Sequence, residues 1–383
     1  MRRANDFFLA RWPDPTVDIV TDKSRPSNLW TRAVYFEGMM ALYAVEPDVA
    51  RQASLLDYAV RWGASPSHPW TLTYTAAGTM TSNADNQACG QTYMDLYRID
   101  PKPERIATIK ANIDDMVARG TANVWTWIDA IQMSMPVFVR LGVLYSDADY
   151  FDAMWALYNN TRTQQGGGLR NSADGLWWRD LHFSPGGGTQ QRMTSALYES
   201  MPASSTDAYV VAPNGQNLYW SRGNGWVMAA LVRVLDWLPA SDNHRATYVG
   251  DFQTMAASLL PMQRSDGFWN ESLLDPTHCA SIGLSGQDGP ETSGTALFAY
   301  GLAWGIRQGL LDGATYGQSL ARAWQGLTAI ALQRDGRLGY VQSTGDRPCT
   351  DSAALGPAKL ANFDDYGVGA FLLAGTEVYR LAE

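Results

Sequence analysis

A chain of 383 residues, 46% of them hydrophobic, is long enough to bury a large core. Its 29 basic residues are outnumbered by 38 acidic ones, and a net charge of −9 without any Lys/Arg-rich tract argues against a protein that grips nucleic acid through its phosphates. No apolar run is long enough to span a membrane, and the N-terminal MRRANDFFLARWPDP has too short an apolar stretch for a signal peptide, so a soluble chain is expected, cytoplasmic or, if a leader was removed, periplasmic.

Two kinds of helical periodicity alternate along the chain. NDFFLARW from Asn5 is a short amphipathic segment, and YFEGMMALYAV from Tyr35, rich in Gly, Ala and aromatics, follows it. DVARQASLLDYAVRWG from Asp48 is again polar on one face, and NQACGQTYMDLYRI from Asn86 is again poor in Lys. The pair recurs as ERIATIKANIDDMVARG from Glu104 with WIDAIQMSMPVFVRLG from Trp127, and as DYFDAMWALYNNTRTQ from Asp149 with GNGWVMAALVRVLDWL from Gly223. It recurs again as RATYVGDFQTMAASLLPMQR from Arg245 with ETSGTALFAYGLAWGI from Glu291, and as YGQSLARAWQGLTAIALQR from Tyr316 with DDYGVGAFLLAGTEVYRL from Asp364. Helices so poor in charge are buried on most sides. Six outer helices alternating with six inner ones predict an all-α fold, an (α/α)6 toroid forming one catalytic domain over residues 1–383. An open helical solenoid suits the uneven spacing and the aromatic loops less well. Three loops share a form, ADGLWWRD from Ala173, SDGFWNES from Ser265 and RDGRLGYV from Arg334; Asp-Gly marks a turn, and the residues after it predict short β pieces at the rim.

Cys89, Cys279 and Cys349 are an odd number without metal-ligand spacing, so no disulfide framework is expected. His68, His182, His244 and His278 are scattered, and neither HExxH nor CxxC occurs; no metal and no cofactor are predicted. Fifteen Trp and eighteen Tyr suit a sugar-binding protein, although most such rings serve packing.

In such a ring the N-termini of the inner helices converge on one mouth. Asp85, Asp129, Glu291, Asp364 and Asp365 all fall there, where capping and the helix dipole favour acids in any case. Asp129 stands apart, because Trp125, itself expected to contact the substrate, and Trp127, Met133 and Met135 surround it with apolar groups that raise a carboxyl pKa and suit it to proton donation. Asp85, in TSNADNQACGQ, has more polar company and is expected to stay ionised. YWSRGNGW at 219–226 joins glycines that let a ligand approach to Arg222, a forked donor for a carboxylate, and Trp226, a stacking face; a helix cap with a paired Arg is the structural alternative. WWRDLHF at 177–183 places Trp178, Arg179, Asp180 and His182 on a rim loop, where binding and loop stability are equally served.

On SNADNQACGQTYMDLY, WTWIDAIQMSMPVFVRLG, DGLWWRD, YWSRGNGWVMAALVRVL, DGFW and ETSGTALFAYGLAWGI the chain resembles the unsaturated glucuronyl and rhamnogalacturonyl hydrolases, glycoside hydrolase families 88 and 105, from about Asn28 to Arg380. The resemblance implies an enzyme acting on an unsaturated uronyl oligosaccharide from a polysaccharide lyase, by hydrating the C4=C5 bond of its non-reducing-end uronate. It implies Asp129 as the acid that protonates C4, Asp85 as the second aspartate, and Arg222 and Trp226 as substrate-binding residues. The family's His in an H-G-W-like segment is missing, and Arg179, Asp180 or His182 stands in its place. A glycosidase or epimerase for saturated sugars and a non-catalytic sugar-binding protein are the other readings; aglycone, uronate preference and oligomeric state are not legible.

Overall fold

The computed structural model describes all residues except 22, 77, 187–190, 195–207, 285, 287, 352–354 and 359–364, and the side chains of 191–194 and 208–209 also lie outside it. Asp364 is among these. The outer helices are α1 (Arg2–Arg11), α3 (Val49–Gly63), α6 (Glu104–Ala118), α8 (Asp149–Thr163), α10 (Arg245–Leu259) and α12 (Gly313–Gly326). The inner ones are α2 (Trp30–Val45), α5 (Cys89–Ile99) with the short α4 (Ala84–Gln87) before it, α7 (Asp129–Tyr145), α9 (Ser221–Leu235), α11 (Thr292–Arg307) and α13 (Asp365–Ala382). The six segments read as charge-poor are the inner helices. α9 is buried along its whole length, and α7 from Asp129 to Gly142.

The inner helices pack in succession, α2 on α5, α5 on α7, α7 on α9, α9 on α11, α11 on α13, and α13 back on α2, which closes an (α/α)6 toroid. Small residues permit the closure. A Cβ on Gly38 of α2 would sit 2.2 Å from the carbonyl oxygen of Gly369 on α13, so the two helices touch backbone to backbone where the ring ends meet.

Among the described residues three two-stranded sheets decorate the helices, Ile19–Val20 with Ser24–Arg25, Arg170–Asn171 with Leu176–Trp177, and Gln191–Thr194 with Ala208–Val211. The second is formed by the ADGLWW turn, as the Asp-Gly pattern predicted. In the SDGFW turn Gly267 has φ +89°, and a Cβ there would meet the Arg322 carbonyl of α12 at 2.1 Å, so glycine both makes the turn and seats it on the neighbouring outer helix.

The expectation for the cysteines is corrected. Cys279 and Cys349 form a disulfide, with Cα atoms 5.4 Å apart across 70 residues of sequence, and Cys89 is the odd buried thiol. Sequence spacing carried no trace of this contact, because the ring brings two distant loops together. Closing a loop of that size restricts the unfolded chain, so Cys349→Ser is expected to cost about 2 kcal/mol in denaturant unfolding under oxidising conditions and nothing in reductant.

Candidate active site

The mouth at the inner-helix N-termini is a cleft of about 450 Å³ lined by Asp85, Asp129, Arg179, Trp30, Trp127 and Met133, with residues 344–346 as its far wall. Asp129 opens α7. Just before it the chain is stitched to the WWRD loop, since the Ile128 N–H donates to the Arg179 carbonyl at 2.9 Å and Trp127 bridges Asp180. That pairing delivers Arg179 to the carboxylate, Nε lying 3.3 Å from Asp129 Oδ2. Arg179 also donates from Nη1 to Asp180 Oδ2 at 2.7 Å, and Asp180 Oδ1 accepts the His182 N–H at 2.9 Å and faces its Nδ1 at 3.0 Å. Asp85 sits in α4, where Asn83 caps the turn by accepting the Asp85 N–H at 2.9 Å.

Burial raises the Asp129 carboxyl, against the nearby charges of Arg179 and Arg222. Asp85 does not stay ionised by virtue of polar neighbours, which corrects the expectation. Burial, and then the charge of Asp129, push it up to about 7, with Arg179 opposing. Asp85 feels the charge of Asp129, which ties the two acids into one site. Asp180 behaves oppositely. Burial raises its pKa, but hydrogen bonds and charge from His182 and Arg179 overcome this and leave it lowered, a fixed anion that holds His182 above its usual range.

Of the three residues competing for the missing family His, Arg179 lines the cleft, while Asp180 backs it and half-exposed His182 lies one bond beyond. Four expected contacts are corrected. Arg222 is wholly buried; its guanidinium stacks between Trp220 (4.4 Å) and Tyr366 (5.0 Å) and donates to the carbonyls of Gln342 at 2.9 Å and Ser343 at 2.8 Å. Its forked donors thus hold the segment leading to 344–346 instead of a ligand. Trp226 is fully covered within α9, its ring set edge-on to Trp30, so Trp30 presents the aromatic surface expected of it. Trp125 is wholly buried against Phe138, and Trp178 lies behind the wall against Tyr219. Glu291 and Asp365 serve structure, the first capping α11 through the N–H groups of Ser293 and Gly294, the second paired with buried Arg32 at 2.8 Å.

Trp30 and residues 344–346 were missed as site residues, and Trp127 and Met133 were seen only as neighbours of Asp129. For Trp30 the rule that selected the acids, a place in the first turn of an inner helix, was sufficient. For Asp346 the signal was weaker, a Gly-Asp turn in STGD. Its charge is felt by both Arg179 and His182.

The chain that builds this mouth is matched along its length in known proteins. The sequence pattern of Glycosyl Hydrolase Family 88 fits residues 1–382. The chain belongs to that family. This glycoside hydrolase is 30% identical over 369 residues to an unsaturated 3S-rhamnoglycuronyl hydrolase of Formosa agariphila, covering 92% of the chain and 85% of the relative. Among solved structures, a family 88 glycosyl hydrolase from Bacteroides vulgatus is 31% identical with a TM-score of 0.78, over 99% of the chain and 97% of that protein. A solved polysaccharide lyase is 28% identical with a TM-score of 0.79, over 100% and 96%. Among the described residues no helix of this family 88 member is long and apolar enough to cross a membrane.

Proposed function

We propose that this enzyme removes a 4,5-unsaturated uronate from the non-reducing end of lyase-cut oligosaccharides by hydrating its C4=C5 bond, with Asp129 and Asp85 as the acid–base pair. The observation that carries the reading is the pair itself, two carboxyls lifted by burial in a cleft whose cation among the described lining residues is Arg179. An enol ether needs a proton on carbon before water can add, and a carboxyl whose pKa is raised by burial is suited to supply it. In this scheme Asp129 protonates C4, and positive charge develops at C5 and the ring oxygen. Water, losing a proton to the carboxylate, bonds to C5. The resulting hemiketal opens to a 5-keto group, and the hemiacetal left at C1 expels the shortened sugar as an alcohol. Arg179 faces the uronate carboxylate, and Trp30 and Trp127 cover the apolar faces of the sugars. Carboxylate separation says nothing of stereochemistry here, since the addition erases the distinction between retention and inversion.

Likeness to a polysaccharide lyase favours a second reading, β-elimination, in which a base removes the C5 proton of a saturated uronate and the C4 oxygen leaves. One assay separates them. The conjugated C4=C5 bond absorbs in the ultraviolet, so hydration of a panel of unsaturated disaccharides lowers the absorbance, whereas elimination on saturated polymers raises it. A rise on saturated polymer with no fall on any unsaturated product would replace the first reading by the second.

A further inference from the structure

The toroid has a second opening. At the C-terminal ends of the inner helices, opposite the cleft, lies a pocket of about 490 Å³ whose lining includes Glu37 of α2, Arg140 of α7, Arg233 of α9 and Tyr300 of α11. Four inner helices thus meet on its floor. The charged floor groups are at least nine-tenths buried, with Glu37 1%, Arg233 6% and Arg140 7% exposed.

These groups are only partly engaged. Glu37 Oε2 accepts from Gln132 Nε2 at 2.8 Å, yet Oε1 is buried without a hydrogen-bond partner. Arg233 Nε donates to Gln91 Oε1 at 2.7 Å and lies 3.7 Å from Glu37 Oε2, yet Nη2 is buried without a hydrogen-bond partner. Arg140 Nη1 donates to the Gln91 carbonyl at 2.8 Å and meets Asp95 at 2.9 Å, and its Nε is likewise unpartnered. A buried charged donor or acceptor left unmatched is costly, and three at one cavity floor describe what a ligand there must offer. Arg233 and Arg140 ask for an anion with planar acceptors; Glu37, held near neutrality by burial at about 7, suits a hydroxyl. At the rim Arg98 lies over the Trp237 ring, 4.6 Å from its centroid.

The other acids of the pocket have partners of their own, which leaves the unmatched Arg140 and Arg233 donors to an incoming acceptor. Asp95 is paired with Arg140, Glu377 with Arg307 at 2.8 Å and Arg380 at 2.7 Å, and Asp236 accepts the Trp304 indole N–H at 2.6 Å. The volume suits one monosaccharide-sized molecule. We propose that this rear pocket is a second ligand site, taking a small hydroxylated carboxylate whose carboxyl group meets Arg140 and Arg233 and whose hydroxyl meets Glu37.

Titration calorimetry of the full chain with sodium D-glucuronate as probe, and D-glucose as the uncharged control, tests this. Saturable glucuronate binding is expected, at least about tenfold tighter than glucose. Arg233→Gln is expected to weaken it about tenfold or more, and so is Ala41→Trp, which fills the pocket from α2 without touching a charge and decides the matter should Arg233→Gln fail to fold. Arg179→Ala, which strips the cation from the front cleft, is expected to leave a rear-site affinity within about twofold of wild type. Absence of binding, equal binding of glucose, loss of binding in Arg179→Ala, or unchanged binding in Ala41→Trp each overturns the proposal.

Discussion

Asp129→Asn is expected to lower kcat on an unsaturated uronyl disaccharide by about 10³-fold, close to 4 kcal/mol of transition-state stabilisation, while KM moves by less than about threefold. Asparagine preserves the shape of the side chain and its place in the first turn of α7, so packing against Trp127 and Met133 is retained. It cannot deliver a proton to carbon. Arg179, 3.3 Å away, loses one of its two carboxylate partners but keeps Asp180, so the cation that faces the substrate stays in position. That is why the loss is expected in kcat and not in binding. The loss of ultraviolet absorbance with time reports it directly, and circular dichroism checks that the toroid is intact. A variant retaining a tenth of wild-type kcat would remove Asp129 from the chemical step and transfer the role to Asp85.

The toroid was legible because its cause is local. An inner helix packed on all sides is poor in charge, as α7 with only Asp129 and Arg140 and α9 with only Arg222 and Arg233 are, and that scarcity is written in consecutive residues. Asp129 was legible for the same reason, its apolar neighbours being sequence neighbours. Whatever depended on distant partners was not. Arg222 reads as a free fork until Gln342 and Ser343, 120 residues further on, are seen to occupy it. The disulfide partners are 70 residues apart, and the cleft wall at 344–346 follows directly on the segment that Arg222 holds. Asp85 was misjudged because polar sequence neighbours were taken for a polar environment. Its α4 turn in fact carries it into a site where burial and the charge of Asp129 set its pKa.

Asp85→Asn is therefore expected to do two opposite things. Activity falls by about 10²-fold or more, since the acid–base pair loses its second carboxyl. Stability rises. In the folded chain Asp85 ionises only near 7, whereas its ordinary value is 3.8. Below pH 3.8 it is protonated in both states and its burial carries no ionisation penalty. Between that pH and 7 the unfolded chain has lost the proton while the folded chain keeps it, so the penalty grows, and above 7 it is constant. Asparagine carries no such penalty. Because Asp85 is only half-buried, solvent screening reduces the gain to about 1–2 kcal/mol at pH 8. Urea unfolding at pH 8 and at pH 4 measures the difference, and the advantage of the variant should vanish at the lower pH. A carboxylate kept only to cap or brace α4 would give the reverse, a variant no more stable at pH 8 and close to full turnover. Stabilisation and inactivation by the same substitution, with the stabilisation confined to higher pH, is the signature of an acid held in an unfavourable place for its chemistry.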